Sequence, residues 1–365
     1  MSTLTLFLSG DVMTGRGVDQ VLPRSCAPAL HERFVDSALD YVRLAEQANG
    51  PIARPVNHAY VWGDALALLE RRSPDARIIN LETSITTSGA AFPKGINYRM
   101  HPGNAAVLTR AAIDCCVLAN NHVLDWGESG LLETLDTLAR VGLRVAGAGR
   151  DLSAARSPAV LYSRAATRIL VFAFGTRDSG IPDSWAARPD RPGVHLLPDL
   201  SDDSVAYVRR LVDATRRAGD IAIVSIHWGG NWGWDVPDEH RRFSHALIDR
   251  ARIDLVHGHS SHHPKAIEIY RDRAIFYGCG DFLDDYEGIR GHEEYRADLV
   301  LMYFPTLEVG TGRLVRLDME PLRIRNIRLG APCDEERDWL RVVLDRECRR
   351  FGRRVRAAGD ALILE

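Results

Sequence analysis

The feature that most constrains this fold is a recurring pair: an apolar run of strand length that ends in an oxygen or nitrogen donor. The donors at such ends are Asp11, Glu82, Asn121 with His122, His227, and His257 with His259. Uninterrupted apolar runs of this kind are typical of strands that are buried on both faces. If the strands lie side by side in sheets, their donors converge on one edge. The pattern predicts an α/β fold with one shared metal-dependent site.

The densest group of donors lies at 256–263, where four histidines follow the apolar run 253–256. Neutral imidazole is the commonest metal ligand, and the spacing of His257 and His259 directs two rings at one ion or at two adjacent ions. His262 and His263 lie further into the loop, and we expect them to matter less for metal binding. The alternative is a polar loop whose histidines are structural.

The segments between these donors alternate between helical and strand patterns. Helices are expected at 41–48, 129–141, 199–218, 239–251 and 334–351, with another beginning at 62–64. Strand pairs are expected at 266–270 with 274–282 and at 299–309 with 313–329, and a long loop at 176–198. One domain is predicted over 1–330, with a C-terminal helix and tail, 331–365, packed on the same domain.

Composition argues against several classes of partner. The formal net charge is −3, so no overall basic field favours nucleic acid, and the arginines at 349–356 are typical of a solvated helix face. The chain has no apolar run of about 18 residues, the length that a membrane helix needs, and no signal-peptide pattern at its start. The six cysteines lack zinc-like spacing. We expect a cytoplasmic protein with free thiols and with no membrane or nucleic-acid partner, of unknown oligomeric state.

Five of the motifs occur in an order that resembles a known family. They are Gly10 to Met13, Asn80 to Glu82, Asn120 to His122, His227 to Gly229, and Gly258 to His262. The series resembles the CapA branch, the poly-γ-glutamate synthesis proteins, of the calcineurin-like metallophosphatase superfamily, over residues 6 to about 285. The resemblance implies a metallophosphatase-like, four-layer α/β/β/α sandwich, in which two sheets pack face to face with helices outside.

The same resemblance implies roles for the donors. Asp11, Glu82, Asn121, His227, His257 and His259 correspond to metal ligands, and His122 corresponds to the catalytic histidine beside the metals. Two positions depart from the superfamily's pattern, because Met13 replaces a histidine and Glu82 replaces an aspartate. Since a thioether is a poor ligand for a hard divalent ion, one metal position is expected to be altered. The predicted cofactor is one or two divalent ions, with Mn, Ca, Mg and Zn not distinguished.

The chain is similar to the cytosolic epimerases of lasso-peptide precursors, which convert one residue of a ribosomally made peptide from L to D. Such a reaction needs a metal ion to stabilise the enolate and proton-transfer groups on opposite faces of the Cα. His122 is the candidate on one face. His292, from an acidic loop, is the candidate on the other, and its alternative is a solvated loop histidine. The predicted partner is therefore a precursor peptide.

Candidate substrate contacts come from Arg16 and from an aromatic loop with Trp228, Trp232 and Trp234. These rings suit an apolar or aromatic side chain of the substrate, and packing in the core is the alternative. The same metal ligands also suit hydrolysis of a phosphoester or an amide, with His122 as general acid, and this hydrolase is the alternative function. A non-catalytic binding protein is disfavoured, because a structural metal site needs no adjacent acid–base group.

Overall fold

A computed structural model describes residues 2–365. Its strands include each of the apolar runs that precede a donor. In chain order the strands are β1 (Thr3–Val12), β2 (Ala76–Leu81), β3 (Ser84–Ile85), β4 (Arg99–Met100), β5 (Cys115–Val117), β6 (Arg144–Ala146), β7 (Ala148–Gly149), β8 (Ala159–Tyr162), β9 (Arg168–Gly175), β10 (Gly193–Val194), β11 (Ile221–His227), β12 (Leu255–His259), β13 (Ile267–Tyr270), β14 (Arg273–Phe276), β15 (Asp281–Leu283), β16 (Leu299–Glu308), β17 (Leu314–Ile324), β18 (Leu329–Gly330), β19 (Val355–Ala358) and β20 (Ala361–Leu364).

The α-helices fall mostly where the apolar residues recur at helical spacing. They are α1 (Arg16–Val21), α2 (Ala38–Asn49), α3 (Ala65–Arg72), α4 (Ala106–Arg110), α5 (Gly127–Arg140), α6 (Leu152–Arg156), α7 (Asp202–Thr215), α8 (Asp238–Ala251) and α9 (Asp334–Arg349). Short 3₁₀ turns lie at Pro102–Asn104, Arg177–Ser179, Asp183–Trp185 and Glu293–Tyr295. The six helices predicted from sequence correspond to α2, α3, α5, α7, α8 and α9.

Two sheets carry the fold. The larger runs in the order β19-β20-β17-β16-β1-β2-β5-β6, with β15 beside β1 and β18 beside β17, and the smaller runs β13-β14-β12-β11-β9-β8. Strands β1, β2, β5 and β6 are parallel in the first sheet, as are β9, β11, β12 and β14 in the second. The donors therefore follow the carboxyl ends of neighbouring parallel strands, where α/β proteins place their sites.

Three apolar layers separate the sheets and helices, so the predicted α/β/β/α sandwich is confirmed. Leu8 and Val117 of the larger sheet share the central layer with Val171 and Leu255 of the smaller sheet. The outer face of the larger sheet packs on helices that include α3 and α5, and the outer face of the smaller sheet packs on α7 and α8. Alternate residues of each central strand point into different layers, as strand geometry requires.

One predicted strand is wrong in a way that shapes the site. The run 274–282 forms two strands: β14 ends at Phe276 in the smaller sheet, and β15 begins at Asp281 in the larger sheet. The intervening residues include Gly278 and Gly280, and a Cβ at Gly280 would lie 2.9 Å from the Pro264 nitrogen. The chain thus crosses from one sheet to the other within five residues and delivers Asp281 beside Asp11.

One further segment differs from its predicted form, and the C-terminal tail adds strands that no sequence pattern predicted. The region 176–198 contains two 3₁₀ turns and strand β10, which pairs with β7, and it buries side chains such as Trp185 and Val194, which anchor it to the core. In the C-terminal segment, α9 contributes Leu340 and Leu344 to the central layer, and β20 pairs with β17. The tail thereby joins the larger sheet.

The sequence-based expectations about thiols and membrane helices can be compared with the structure. The six cysteines, all among residues 2–365, are free thiols in the structure. Among those residues, no helix combines the length and the apolar character that a membrane span needs.

Candidate metal centre

The donors of both sheets meet at the carboxyl ends of β1, β2, β11 and β12. Asp11, Glu82, His227 and His259 are all buried, and the amide of Asn80 donates to the carboxylates of Asp11 (2.7 Å) and Glu82 (3.0 Å). A close approach of two glycines makes the arrangement possible, because a Cβ at Gly10 would lie 1.7 Å from the Gly280 oxygen. The predicted convergence of donors from different strands therefore occurs.

The first cluster of candidate ligands contains Asp11, His227 and His259, whose ligand atoms lie within 4.8 Å of one another. The Nδ1 atoms of His227 and His259 are 2.8 Å apart, and His259 Nδ1 is 3.9 Å from Asp11 Oδ1. Glu82 borders the cluster, with Oε1 3.9 Å from His227 Nε2. Carboxylate oxygens and imidazole nitrogens together suit Zn²⁺, Mn²⁺ and related divalent ions.

The second cluster contains Asp11, His262 and Asp281, again within 4.8 Å. His262 Nδ1 lies 2.8 Å from Asp281 Oδ1. Met13, expected to weaken one metal position, is buried, and its sulfur accepts a hydrogen bond from the Tyr286 hydroxyl at 3.5 Å. Asp281 and His262 supply donors on that side of Asp11, so the carboxylate of Asp11 is shared by both clusters.

His257 does not point into either cluster, contrary to the prediction. It lies two residues before His259 in β12, further from the carboxyl end of the strand. There its Nε2 is 2.8 Å from the Ser9 carbonyl and its Nδ1 is 3.0 Å from Ser225 Oγ. Both ring nitrogens are therefore engaged within the protein. His262 reaches the site instead, because Ser260, with φ of 105°, turns the chain back toward the sheet edge. A periodic pattern does not predict such a turn.

Burial shifts the pKa values of the two donor types in opposite directions. Desolvation and then the charge of Asp281 raise the pKa of Asp11 to about 7. Desolvation also raises the pKa of Glu82, to which Asp11 and Asp281 add repulsion, and of Asp281 itself. Desolvation lowers the pKa of His227 and of His259, so both rings are neutral at pH 7, the form that binds metal.

Several buried polar atoms at the centre lack hydrogen-bond partners. Among the residues that the structure describes, they include His227 Nε2 and Asp281 Oδ2 of the two clusters, and Asn121 Oδ1, from the residue before His122, also lacks a partner. Such atoms are rare in folded proteins because each costs about 1–3 kcal/mol when it is left unsatisfied. A divalent cation would bind these lone pairs and neutralise the crowded carboxylates, so the donor set fits a metal centre.

A histidine–aspartate pair adjoins the clusters. His122 Nδ1 lies 2.6 Å from Asp125 Oδ2, and His122 Nε2 points toward Glu82, 3.8 Å away. The ammonium group of Lys94 lies 2.8 Å from Asp125 Oδ1 and bonds the backbone carbonyl of Asn121. Sequence reasoning missed Asp125 and Lys94. The interval of three residues from His122 to Asp125 was an available signal, whereas Lys94 comes from an irregular loop without a motif.

A cavity of about 850 Å³ opens beside the centre, and its lining includes His262 of the second cluster and Lys94, which pairs with Asp125. Trp232 and His292 line it and stack on each other, with ring centroids 4.1 Å apart and an interplanar angle of 14°. His292 is exposed to solvent, whereas Arg16 is buried and bound to acidic side chains. The structure thus brings Arg16, Trp232 and His292 to one cavity.

The other two tryptophans of the aromatic loop lie elsewhere. Trp228 is buried in the outer layer of the smaller sheet, where it stacks on His240 at 4.3 Å and donates to the Tyr277 carbonyl. Trp234 packs against Tyr295 and Arg346, outside the cavity lining. Their predicted contact with substrate is therefore not supported. Trp228 directly follows the buried strand β11, so its ring packs in the core.

The fold and the clustered donors define a protein of the metallophosphatase-like class. Within that class, the chain belongs to the bacterial capsule synthesis protein PGA_cap family, whose pattern matches residues 5–286. It is 49% identical, over 99% of its length and 95% of the relative's, to a probable polyglutamine synthesis accessory protein of Mycobacterium tuberculosis.

Two more distant relatives carry capsule-related names. The PGA biosynthesis protein CapA of Bacillus subtilis is 28% identical, over 91% of this chain and 74% of the relative. The capsule biosynthesis protein CapA of Bacillus anthracis is 23% identical, over 90% of this chain and 69% of the relative. The predicted CapA-like branch is confirmed by these matches.

Proposed function

We propose that this protein is a metal-dependent enzyme that acts by acid–base chemistry on a peptide chain, and that its reaction is epimerisation at a Cα. The observation that carries the proposal is the His122–Asp125 pair, set against the metal ligands and next to the cavity. A purely structural metal site needs no such pair. Enzymes that invert a peptide Cα need both a stabilised enolate and a positioned base.

The ligands proposed for the metal are Asp11, Glu82, Asn121, His227, His259, His262 and Asp281. When bound, one or two divalent ions would supply Lewis-acid stabilisation of charge on a substrate oxygen. Asp125 holds the Nδ1–H of His122, which leaves Nε2 free to accept a proton. His292, stacked on Trp232 at the cavity, is the proposed second proton-transfer group.

The substrate is proposed to be a peptide because of the size and lining of the cavity. About 850 Å³ exceeds what a simple phosphoester needs and accommodates several residues. Its lining combines Trp232, Phe34, Ile96 and Ile289 with charged side chains. The epimerase subgroup proposed from the sequence would act on a ribosomally made precursor, while the names of the curated relatives suggest polymers of glutamine or glutamate, so both kinds of chain belong in a substrate panel.

Hydrolysis of a phosphoester or an amide is the second candidate function. The specific observation in its favour is the proximity of His122 Nε2 to the ligand Glu82, at 3.8 Å. His122 would donate a proton to the leaving group, and a bound metal would supply activation of the water that attacks. The same residues would take part in either reaction. The two functions differ in the bond that is broken, which is a Cα–H bond in epimerisation and a phosphoester or amide bond in hydrolysis.

Isotope labelling separates the candidates. The protein is loaded with Mn²⁺ and incubated with candidate peptides in deuterated water or in H₂¹⁸O. Epimerisation predicts deuterium at one Cα and a D residue without cleavage, whereas hydrolysis predicts ¹⁸O in a cleaved product. EDTA should abolish either reaction, and His122→Ala is the matched catalytic control. Full turnover by protein shown to be metal-free would disprove the proposal.

A further inference from the structure

We propose that Arg16 and Tyr41 form a carboxylate-binding subsite in the wall of the cavity, which Glu32 fills until a carboxylate of the substrate displaces it. The inference deepens the proposed function, because it assigns one chemical group of the substrate to one place in the same cavity. Arg16, Tyr41 and Glu32 all line that cavity. The ligand class is indicated by Glu32 itself, whose carboxylate stands where the substrate group would bind.

The subsite is rigid on the protein side. Arg16 is 3% exposed and Tyr41 is 5% exposed. The Nε and NH2 groups of Arg16 bond the carboxylate of Asp285, and its guanidinium carbon lies 3.8 Å from the centre of the Tyr41 ring. The remaining nitrogen, NH1, is held 2.9 Å from the Tyr41 hydroxyl. One guanidinium N–H and one phenol O–H thus face the same point.

Glu32 occupies that point with both oxygens. Its Oε1 accepts a hydrogen bond from Arg16 NH1 at 3.0 Å, and its Oε2 accepts one from the Tyr41 hydroxyl. An incoming carboxylate would make the same two contacts, because its two oxygens match the spacing of hydrogen-bond donors such as a guanidinium N–H, and charge-assisted hydrogen bonds are strong. Because Asp285 already balances the charge of Arg16, Glu32 is the second carboxylate on one cation and is the one that can leave.

The segment that carries Glu32 suits displacement. Residues 22–37 contain no helix or strand of their own, apart from one isolated bridge between Ala29 and Ser37. Arg33 is exposed, and the neighbouring Phe34 is 92% exposed at the cavity mouth. Between residues 28 and 37 no side chain is fully buried, so local opening there costs less free energy than opening of the core. Release of Glu32 would widen the cavity as the substrate enters.

The test uses small carboxylates rather than turnover. N-acetylglycine presents a terminal carboxylate, N-acetylglutamic acid α-amide presents a side-chain carboxylate, and N-acetylglycinamide presents neither. Their effects on the melting temperature are measured for the purified wild-type protein and for Glu32→Ala. We expect either acid, but not the amide, to raise the melting temperature, with a half-saturating concentration about tenfold lower in Glu32→Ala than in the wild type, a difference of about 1.4 kcal/mol. The more effective acid identifies which carboxylate of a peptide binds.

Two controls isolate the subsite. Asp36→Ala removes an exposed carboxylate from the same segment and should leave the half-saturating concentrations unchanged. Tyr41→Phe keeps the ring against Arg16 but loses the hydroxyl, so it should weaken the effect of the acids. Repeating the series in EDTA excludes carboxylate binding to metal. An equal response in wild type, Glu32→Ala and Tyr41→Phe would overturn the subsite.

Cleavage by trypsin after Arg33 gives a second measurement that needs no variant. If a carboxylate displaces Glu32, cleavage of the wild-type protein at Arg33 should accelerate with N-acetylglycine and not with its amide. Unchanged or slower cleavage at saturating acid would show that Glu32 is a fixed anchor. Neither measurement depends on catalysis, so the absence of turnover would count against the proposed function alone.

Discussion

The two sheets contribute opposite chemistry to one centre. The larger sheet delivers carboxylates, from Asp11, Glu82 and Asp281, whereas the smaller sheet delivers imidazoles, from His227 and His259. Burial raises the pKa of the first group and lowers the pKa of the second. The same desolvation therefore disfavours the charge of every one of these side chains.

Each half of the centre has a free-energy cost of burial when it stands alone, and together the two halves form a set of metal ligands. Buried carboxylates without a cation repel one another, and buried neutral imidazoles keep unshared lone pairs. A divalent ion placed between them relieves both problems at once. Stability measurements on the metal-free and metal-loaded protein can therefore separate the two halves.

The largest effect should come from the carboxylate half. Asp11→Asn removes the charge common to both clusters, so we expect metal affinity to fall by about 100-fold or more. The metal-free protein should lose little unfolding free energy, because an amide replaces a carboxyl whose charge is already disfavoured. Titration calorimetry with Mn²⁺ and urea unfolding measure the two quantities. Asp203→Asn, in an exposed position of α7, is the control, and wild-type affinity in Asp11→Asn would refute the shared role.

In the imidazole half, His262 and His257 should behave differently. His262→Ala should lose metal, since its ring lies in the second cluster. His257→Ala should retain most metal but lose about 1–3 kcal/mol of unfolding free energy, because it leaves the Ser9 carbonyl and Ser225 with one partner fewer. Metal analysis and urea unfolding distinguish them. The opposite ranking for metal loss would restore the original prediction.

The His122–Asp125 pair can be disrupted while the carboxylates and imidazoles of the metal centre are retained. His122→Ala and Asp125→Asn should each retain metal and lose about 10²- to 10⁴-fold in turnover of the identified substrate. His292→Ala should lose turnover with no change in metal content. Deuterium wash-in measured separately from the L and D peptides would show which face each histidine serves. Equal, wild-type wash-in for both peptides in His292→Ala would show that the second acid lies elsewhere.

The smallest effect concerns His195, which lies outside the centre, and tests whether burial alone lowers the pKa of a histidine. Desolvation lowers the pKa of His195 to about 4, although its ring contacts the Ala173 carbonyl and the Tyr207 hydroxyl. The unfolded ring, with a pKa of about 6.5, binds more protons between pH 6.5 and 4, so this group's stabilisation is complete above pH 6.5 and declines as pH falls.

The direction of this pH dependence can be measured by comparing the unfolding free energies of the wild-type protein and a His195 variant. Between pH 7 and pH 5, the wild-type protein should lose about 2 kcal/mol of unfolding free energy through His195. His195→Asn lacks this contribution, so the gap between wild type and variant should shrink by that amount at pH 5. Urea unfolding at both pH values measures it. A gap that stays constant would show that His195 is not buried in its neutral form.

The sequence predicted what depends on local pattern. The apolar runs, the helices α5, α7, α8 and α9, and the donors at the carboxyl ends of β1, β2 and β11 all follow from periodicity and position. The resemblance supplied the layer order and the place of His122. Each of these features is encoded within a few residues of itself.

The remaining features depend on contacts between distant segments. Asp281 joins the site only because the chain changes sheets after β14, and His262 joins it only because of the turn at Ser260. Lys94 reaches Asp125 from a loop. The environment of Trp228 depends on α8, whose His240 packs on it. Tertiary packing, rather than local preference, decides these positions.

The pairing of β1 with β15 also sets an order of events during synthesis. Arg16 and its partner Asp285 are 269 residues apart. At about 5–20 residues per second, the ribosome needs roughly 15–50 s to make the intervening chain. Throughout that interval Asp11 has no Asp281 beside it, so the second cluster cannot form. A metal ion that needs the second cluster would therefore bind only after residue 281 has been made.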